Sequence, residues 1–131
     1  MINNTYKHSE ITGEIIGCAM EVHNVLGNGF QELIYQRALA YEMSHNSIKF
    51  KREYEIPVIY KEKQMGTRRV DFLVERIISV EIKAIMNLEP VHFAQAINYL
   101  EAYNLEVGLL INFGAEKLMF KRLHNNKYKP V

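Results

Sequence analysis

Three charged residues in the middle of the sequence have the types and the spacing that metal-assisted chemistry requires. Asp71 lies in the apolar run 70–74, and Glu81 and Lys83 lie in a second run, 77–85, which is predicted to form the next strand. Facing side chains on paired strands are only about 4.5 to 5.5 Å apart, and like charges there destabilise a sheet. Mg²⁺ or Mn²⁺, which prefers oxygen ligands, would offset two facing carboxylates. The sequence therefore predicts a metal site on these strands.

The turn between the two strands decides which of these side chains meet. If it centres on Arg76, Asp71 lies directly across from Glu81 and diagonally across from Lys83. Because side chains alternate along a strand, the apolar residues of each strand are predicted to share a face opposite the charged ones. These apolar residues are Val70, Phe72 and Val74 in the first strand and Val80, Ile82 and Ala84 in the second.

Lys83 extends the prediction from metal binding to hydrolysis of a phosphate ester. Its ammonium group could orient or help deprotonate an attacking water and offset charge on the phosphate. A simpler interpretation is that Lys83 pairs with Glu81 or Asp71 on a solvated sheet face. Charges embedded in runs as apolar as these break the local pattern, and such breaks favour a functional site.

The rest of the chain predicts the elements that hold these strands. Apolar residues at helical spacing predict a first helix, with Ser9 as its N-cap, that ends at 27–29, and a second helix over 31–45. The second helix is predicted to bury Leu33, Ile34, Ala38 and Tyr41. Strands are predicted over 51–60, 67–75 and 77–85, then a helix over 90–104 and strands over 107–113 and 117–124. A polar turn is predicted over 61–66, and Pro57 predicts that the first strand lies at an edge of the sheet or contains a bulge.

Length and composition bound the class of protein. A chain of 131 residues with 48% apolar content predicts one domain over 1–131, with 1–8 and 125–131 as flexible ends. The sequence has no run near the roughly 18 apolar residues of a membrane span and no secretory signal, which predicts a cytoplasmic protein without a membrane partner. A net charge of +1 argues against the broad attraction of a strongly basic nucleic-acid binder. Basic clusters at 49–52, 68–69 and 117–129 could still line a phosphate track or be ordinary surface lysines and arginines.

The charged residues also carry a family resemblance. Asp71 followed by Glu81-Ile82-Lys83, on the second and third strands of a helix-first mixed sheet, resembles the PD-(D/E)xK nuclease superfamily, although Val70 stands where the name has proline. The segment 29–35, Gly-Phe-Gln-Glu-Leu-Ile-Tyr, is similar to the signature of the GxxExxY protein family, which is grouped with that fold. The resemblance implies an α/β restriction-endonuclease-like core, a mixed β-sheet flanked by helices in the order ααβββαββ.

The resemblance also assigns roles outside the two strands. It implies that Glu32 is a third metal-binding carboxylate, although a glutamate in a first helical turn is also favoured by the helix dipole. Tyr35, one turn further, could bond a carboxylate or phosphate or be a core residue. Gln95 and Tyr99, spaced i, i+4, resemble the motif with which RecB-type nucleases position DNA. His92 is predicted to join that face.

The resemblance implies a metal-dependent nuclease. Mg²⁺ or Mn²⁺ would be held by Asp71, Glu81 and Glu32, with Lys83 assisting the water and nucleic acid, DNA more than RNA, as the substrate. One alternative is a nuclease-like module without catalysis that binds nucleic acid or a protein partner. Another is a purely structural cluster of ion pairs. Formation of a homo-oligomer would enlarge the small binding surface of the nuclease or of the non-catalytic module.

Overall fold

In the described part of the chain, three helices and five strands follow one another in the predicted order ααβββαββ. The computed structural model describes residues 8–131. Its elements are α1 (Ser9–Leu26), α2 (Glu32–His45), β1 (Phe50–Tyr60), β2 (Lys63–Val74), β3 (Ile78–Lys83), α3 (Pro90–Tyr103), β4 (Val107–Asn112) and β5 (Met119–His124). Within this part of the chain no helix is long and apolar enough to cross a membrane.

The strands form one mixed sheet, which confirms the predicted fold class. Their spatial order is β1-β2-β3-β4-β5, with β3 and β4 parallel and the other neighbours antiparallel. A parallel pair needs a crossover connection, and α3 supplies it. One apolar core lies between the sheet and α1 and α2, and a second lies between the sheet and α3. The first strand is an edge strand, as Pro57 predicted.

The buried side of α2 differs from the predicted one. Leu33, Ile34 and Tyr41 are exposed. The buried residues are instead Tyr35, Gln36, Leu39, Ala40 and Met43. Apolar residues occur around most of this helix, so their spacing fits more than one stripe, and the tertiary contacts of Tyr35 and Gln36 select the one that faces the sheet.

Two tight turns set the geometry of the first three strands. The predicted polar turn over 61–66 is wrong in extent, because Lys61 and Glu62 alone make the turn, with φ of 49° and 68°, and β2 already begins at Lys63. Glu75 and Arg76 make the second turn, with φ of 51° and 64°. Positive φ at both central residues is typical of the type I′ turn, whose twist matches that of paired strands. The tight turn predicted near Arg76 is confirmed.

The ends of the chain were predicted to be flexible. Of the N-terminal end, residues 1–7 lie outside the described residues, and His8, not Ser9, precedes the first turn of α1. In the C-terminal segment, the buried Asn125 amide donates to the carbonyl oxygens of Leu100 (3.2 Å) and Leu105 (2.9 Å). Asn104 and Lys129 exchange two further hydrogen bonds, of 2.8 and 3.0 Å. These contacts join the segment to the end of α3.

The chain that leaves β3 is bound to the end of β4. The Asn112 side chain accepts from the backbone N–H of Ile85 and of Gly114, both at 3.0 Å, and donates to the Ile85 carbonyl at 2.7 Å. A Cβ atom on Gly114 would overlap the backbone of Ala84 and Ile85. These contacts fix the path of the chain directly after Lys83.

We therefore expect Gly114→Ala to lower the free energy of unfolding by about 2 kcal/mol, because backbone atoms cannot rotate away from the added methyl group. Chemical denaturation measures this change. Gly17→Ala is the matched control: in the described part of the chain nothing lies within 4 Å of its added Cβ, and it lies inside α1. There alanine should stabilise by up to about 1 kcal/mol. Equal effects of the two substitutions would contradict the close approach at Gly114.

Candidate active site

Asp71 lies where the regular sheet is interrupted. Residues on either side of it pair with β1, Phe72 with Arg52 and Val70 with Tyr54, but Asp71 and Glu53 fall outside this pairing, and Glu53 has a φ of 49°. Val70 packs in the core against α3, whereas Phe72 packs in the core against α1 and α2. The prediction that Val70 shares a face with Phe72 and Val74 is therefore wrong. The left-handed backbone at Glu53 breaks the regular alternation here, and the Asp71 side chain is directed toward α2, where it meets Gln36.

The Asp71 carboxylate makes a hydrogen bond between β2 and β3 just beyond the point where their backbone ladder ends. The pairs Phe72–Val80 and Val74–Ile78 match a turn centred on Arg76, as predicted, and the ladder ends at Phe72–Val80. One step beyond, Asp71 Oδ2 accepts the backbone N–H of Ile82 at 2.7 Å. The charged side chain thus holds the two strands together at the point where they diverge.

Gln36 and Arg52 orient the same carboxylate. Gln36, a buried residue of α2, donates from Nε2 to Asp71 Oδ1 at 2.9 Å and accepts from the Arg52 guanidinium at 2.7 Å. Because Arg52 can only donate, it fixes which end of the Gln36 amide faces Asp71. The sequence prediction missed Gln36. A polar residue directly after Tyr35, on the stripe that contains Leu39 and Met43, was the available signal.

Glu81 carries a buried carboxylate that is only partly compensated. The residue is 8% exposed, and no described residue makes a hydrogen bond to its Oε1. The Arg68 guanidinium lies 3.7 Å from this oxygen, which is too long for a hydrogen bond. Burial, and next the negative charge of Asp71, raises the pKa of Glu81 to about 7. Arg68 and Lys83 act in the opposite direction.

Glu32 and Lys83 lie within electrostatic reach of these carboxylates. Glu32 is the first residue of α2, and its pKa is raised by burial and by the charge of Asp71, while Lys83 lowers it. Lys83 is half-buried at the end of β3. The structure thus brings Asp71, Glu81, Glu32 and Lys83 together. Among residues 8–131, no group of three or more His, Cys, Asp or Glu side chains is close enough together to hold a metal ion without rearrangement.

The predicted positioning residues of α3 have different surroundings. Gln95 is exposed, and its backbone oxygen accepts from Arg68 at 2.9 Å. Tyr99 is fully buried, its hydroxyl has no hydrogen-bond partner in the described chain, and burial raises its pKa well above the usual range. His92 Nδ1 accepts from the Glu89 backbone N–H at 2.9 Å and so belongs to the capping box of α3. Gln95 is thus linked to Glu81 indirectly, because its backbone oxygen binds the Arg68 guanidinium that lies beside Glu81.

Tyr35 occupies the core position that was the alternative to a substrate contact. Its ring is fully buried and stacks on Phe113, with centroids 4.8 Å apart. Its hydroxyl donates to the Gly27 carbonyl at 2.6 Å and accepts from the Phe30 N–H at 3.2 Å. These bonds hold the loop that delivers Glu32 to the start of α2. Tyr35 therefore supports the candidate site from the core.

The fold and this constellation place the chain in a known class. Residues 9–123 match the model of the PD-(D/E)XK nuclease superfamily, and the chain belongs to that superfamily. Among solved structures, the crystal structure of SSO0001 aligns with a TM-score of 0.58 and 19% sequence identity, over 72% of this chain and 50% of that one. This chain thus spans half the length of SSO0001, and the likeness supports the fold. The comparison with curated proteins found no match. The finer GxxExxY resemblance stays a prediction.

Proposed function

We propose that this protein is a metal-dependent nuclease that hydrolyses phosphodiester bonds of nucleic acid, with DNA as the favoured substrate. The observation that carries the proposal is the buried Glu81 Oε1, which lacks a hydrogen bond within residues 8–131 although it lies beside Asp71. A buried carboxylate that is only partly compensated destabilises the metal-free fold by up to about 3 kcal/mol. Such a group is a poor stabiliser of the fold and a good ligand.

The donor set fits Mg²⁺ or Mn²⁺. Glu81 offers an oxygen that no described residue binds, and each Asp71 oxygen accepts one hydrogen bond and keeps further lone pairs. Glu32 is exposed, so its side chain can rotate toward the other two carboxylates. When bound, the cation would polarise the phosphate and lower the pKa of a coordinated water. We infer that these three residues hold it, with Mg²⁺ or Mn²⁺ favoured by the all-oxygen set.

The remaining steps fall to the cationic side chains. Lys83, half-buried at the end of β3, would orient the attacking water and offset the charge that develops on the phosphate. As the water oxygen bonds to phosphorus, it gives up a proton to solvent and the bond to the leaving oxygen breaks. The leaving oxygen takes a proton from solvent or from the Lys83 ammonium group. Arg68, which is held by the Gln95 carbonyl, offers a second positive charge beside Glu81.

The direct test is a cleavage assay of the purified protein. End-labelled single-stranded, duplex and branched DNA, and RNA, are incubated with Mg²⁺, with Mn²⁺ or with EDTA. We expect products that require the metal, with DNA cut faster than RNA. Products that persist in EDTA would overturn the metal-dependent mechanism, and faster cleavage of RNA would overturn the substrate preference.

A second candidate function is a nuclease-like module that binds nucleic acid or a protein without cutting. The observation that favours it is that both Asp71 oxygens already accept hydrogen bonds, one from the Gln36 amide and one from the Ile82 N–H. Calorimetric titration with Mn²⁺ separates the two candidates. Binding of metal together with cleavage supports the nuclease, whereas nucleic-acid binding without either supports the module.

Gln36 should matter to metal binding although it is not a ligand. We expect Gln36→Leu to weaken Mn²⁺ affinity or cleavage by about 10- to 100-fold, because Asp71 loses the donor that orients it. Titration calorimetry measures the affinity. Gln31→Leu is the matched control, since Gln31 is exposed and makes no side-chain cap to the described part of α2. Wild-type affinity in Gln36→Leu would show that Asp71 needs no orientation by α2.

A further inference from the structure

The hairpin of β1 and β2 extends beyond the rest of the sheet. We call residues 57–67 the arm. β1 is an edge strand, and β2 pairs with β3 only over the three residues Phe72, Leu73 and Val74, so the arm has no third strand among the described elements. Every residue of the arm is exposed. At about 3.3 Å per residue it projects roughly 15 Å past the sheet.

One face of the arm continues the candidate site. Ile56 pairs with Arg68, and Tyr60 pairs with Lys63. Residues 56, 58 and 60 of β1 alternate onto one face. The register shifts by one residue between Val58 and Ile59, but cross-strand partners still share a face, so the Tyr60–Lys63 pair lies on the side of the Ile56–Arg68 pair. That side faces α3, because Ile56 packs in the α3 core and Arg68 donates to the Gln95 carbonyl. Arg68 is also the residue 3.7 Å from Glu81. A continuous surface therefore runs from Glu81 through Arg68 to the tip.

The chemistry of this surface suits a nucleic-acid strand. Tyr60 is 59% exposed, and the Lys61 ammonium lies 5.4 Å from the centre of its ring. Over residues 57–68 the three cations Lys61, Lys63 and Arg68 outnumber the single acidic residue, Glu62. An exposed aromatic ring provides a platform on which a base can stack, and adjacent lysines bind phosphates. A two-stranded ribbon whose apolar side chains face water is marginal alone and gains stability from such a ligand.

We propose that the arm, through Tyr60, Lys61 and Lys63, binds the nucleic-acid strand beyond the phosphate that is cleaved. This inference rests on the proposed nuclease function and adds to it a place where the substrate is held. It supplies binding surface that a domain with a net charge of +1 otherwise lacks. A second copy of the chain is the competing occupant of the same apolar and basic face.

Binding is measured by fluorescence anisotropy in EDTA, so that no cleavage occurs, with labelled 30-nucleotide single strands and 30-base-pair duplexes. The arm variant is Tyr60→Ala/Lys63→Ala. Its matched control is Arg37→Ala/Tyr41→Ala, which also removes one exposed cation and one exposed aromatic ring, both on α2 and outside the basic clusters. We expect the arm variant to bind the preferred probe about 10-fold or more weakly and to show a smaller salt dependence by about one phosphate contact. The control should bind like wild type.

The loss in the arm variant should be larger for the long probe than for one of eight base pairs, because only long probes reach the tip. Equal affinities of the arm variant and the control would overturn the arm proposal and leave the nuclease proposal intact. Absence of nucleic-acid binding by the wild type would overturn both. Sedimentation of each variant tests the competing occupant: a wild-type dimer that becomes monomeric only in the arm variant, with nucleic-acid affinity unchanged, would assign the arm to self-association.

Discussion

Replacement of Asp71 by alanine is expected to lower metal-dependent cleavage by about 100- to 1000-fold, the range found when a group that stabilises transition-state charge is removed. Asp71 is at once a proposed metal ligand and the acceptor that ties β2 to β3 through the Ile82 N–H. Initial rates on the preferred substrate, at saturating Mg²⁺ and with matched amounts of folded protein, give the ratio. Glu21→Ala, which removes an exposed carboxylate of α1, is the control and should cleave like wild type.

Loss of folding must be separated from loss of chemistry in this variant. Without the Asp71 carboxylate, the Ile82 N–H and the Gln36 amide lose their partner, and each such loss costs about 1 to 3 kcal/mol. Asp71→Asn does not solve the problem. Its single amide oxygen can accept from Gln36 or from the Ile82 N–H, and its NH₂ group would then face the other donor. Gln36 cannot turn its own oxygen inward, because Arg52 holds that oxygen. Circular dichroism at the assay temperature must therefore show a folded Asp71→Ala. Retained cleavage in that folded variant would refute the proposed mechanism.

The sequence was sufficient for the order of elements and for the strand register near the site. Short apolar runs separated by polar turns leave few ways to pair β2 with β3, and a turn centred on Arg76, with three residues between the paired Val74 and Ile78, fixes their register. The pair Phe72–Val80 follows directly from that turn. The sequence pattern alone therefore predicts that Asp71, Glu81 and Lys83 lie close together.

Tertiary contacts that no periodicity encodes determined the rest. The left-handed backbone at Glu53, opposite the unpaired Asp71, reverses the alternation of β2, which changes the core in which Val70 packs. The buried side of α2 depends on Gln36, a polar residue that is buried because Asp71 and Arg52 satisfy its amide. Local rules fail at these positions, and failures of this kind concentrate at functional sites.

Glu81→Gln is expected to stabilise the metal-free protein at alkaline pH. The pKa of Glu81 is about 7 in the folded state against an ordinary value of 4.5, mainly through burial. Below pH 4.5 the carboxyl is protonated in both states and the penalty is absent. As pH rises from 4.5 to 7 the unfolded chain releases the proton more readily, so this contribution to stability is lost. The full loss above pH 7 is at most about 3 kcal/mol.

Denaturant unfolding in EDTA at pH 5 and pH 8 measures this effect, with Glu116→Gln, an exposed carboxyl before β5, as the control. The stability advantage of Glu81→Gln over wild type should grow between the two pH values, and that of Glu116→Gln should not. Saturating Mg²⁺ should then stabilise the wild type and leave Glu81→Gln nearly unchanged, because a ligand that binds only the folded state adds its binding free energy to folding. An equal pH dependence of wild type and Glu81→Gln would mean that the Glu81 charge is compensated without metal. If instead the ionised Glu81 lowers the free energy of unfolding in EDTA and Mg²⁺ restores it, the carboxylate destabilises the metal-free fold. Such a residue is expected in a site whose role is metal binding and catalysis.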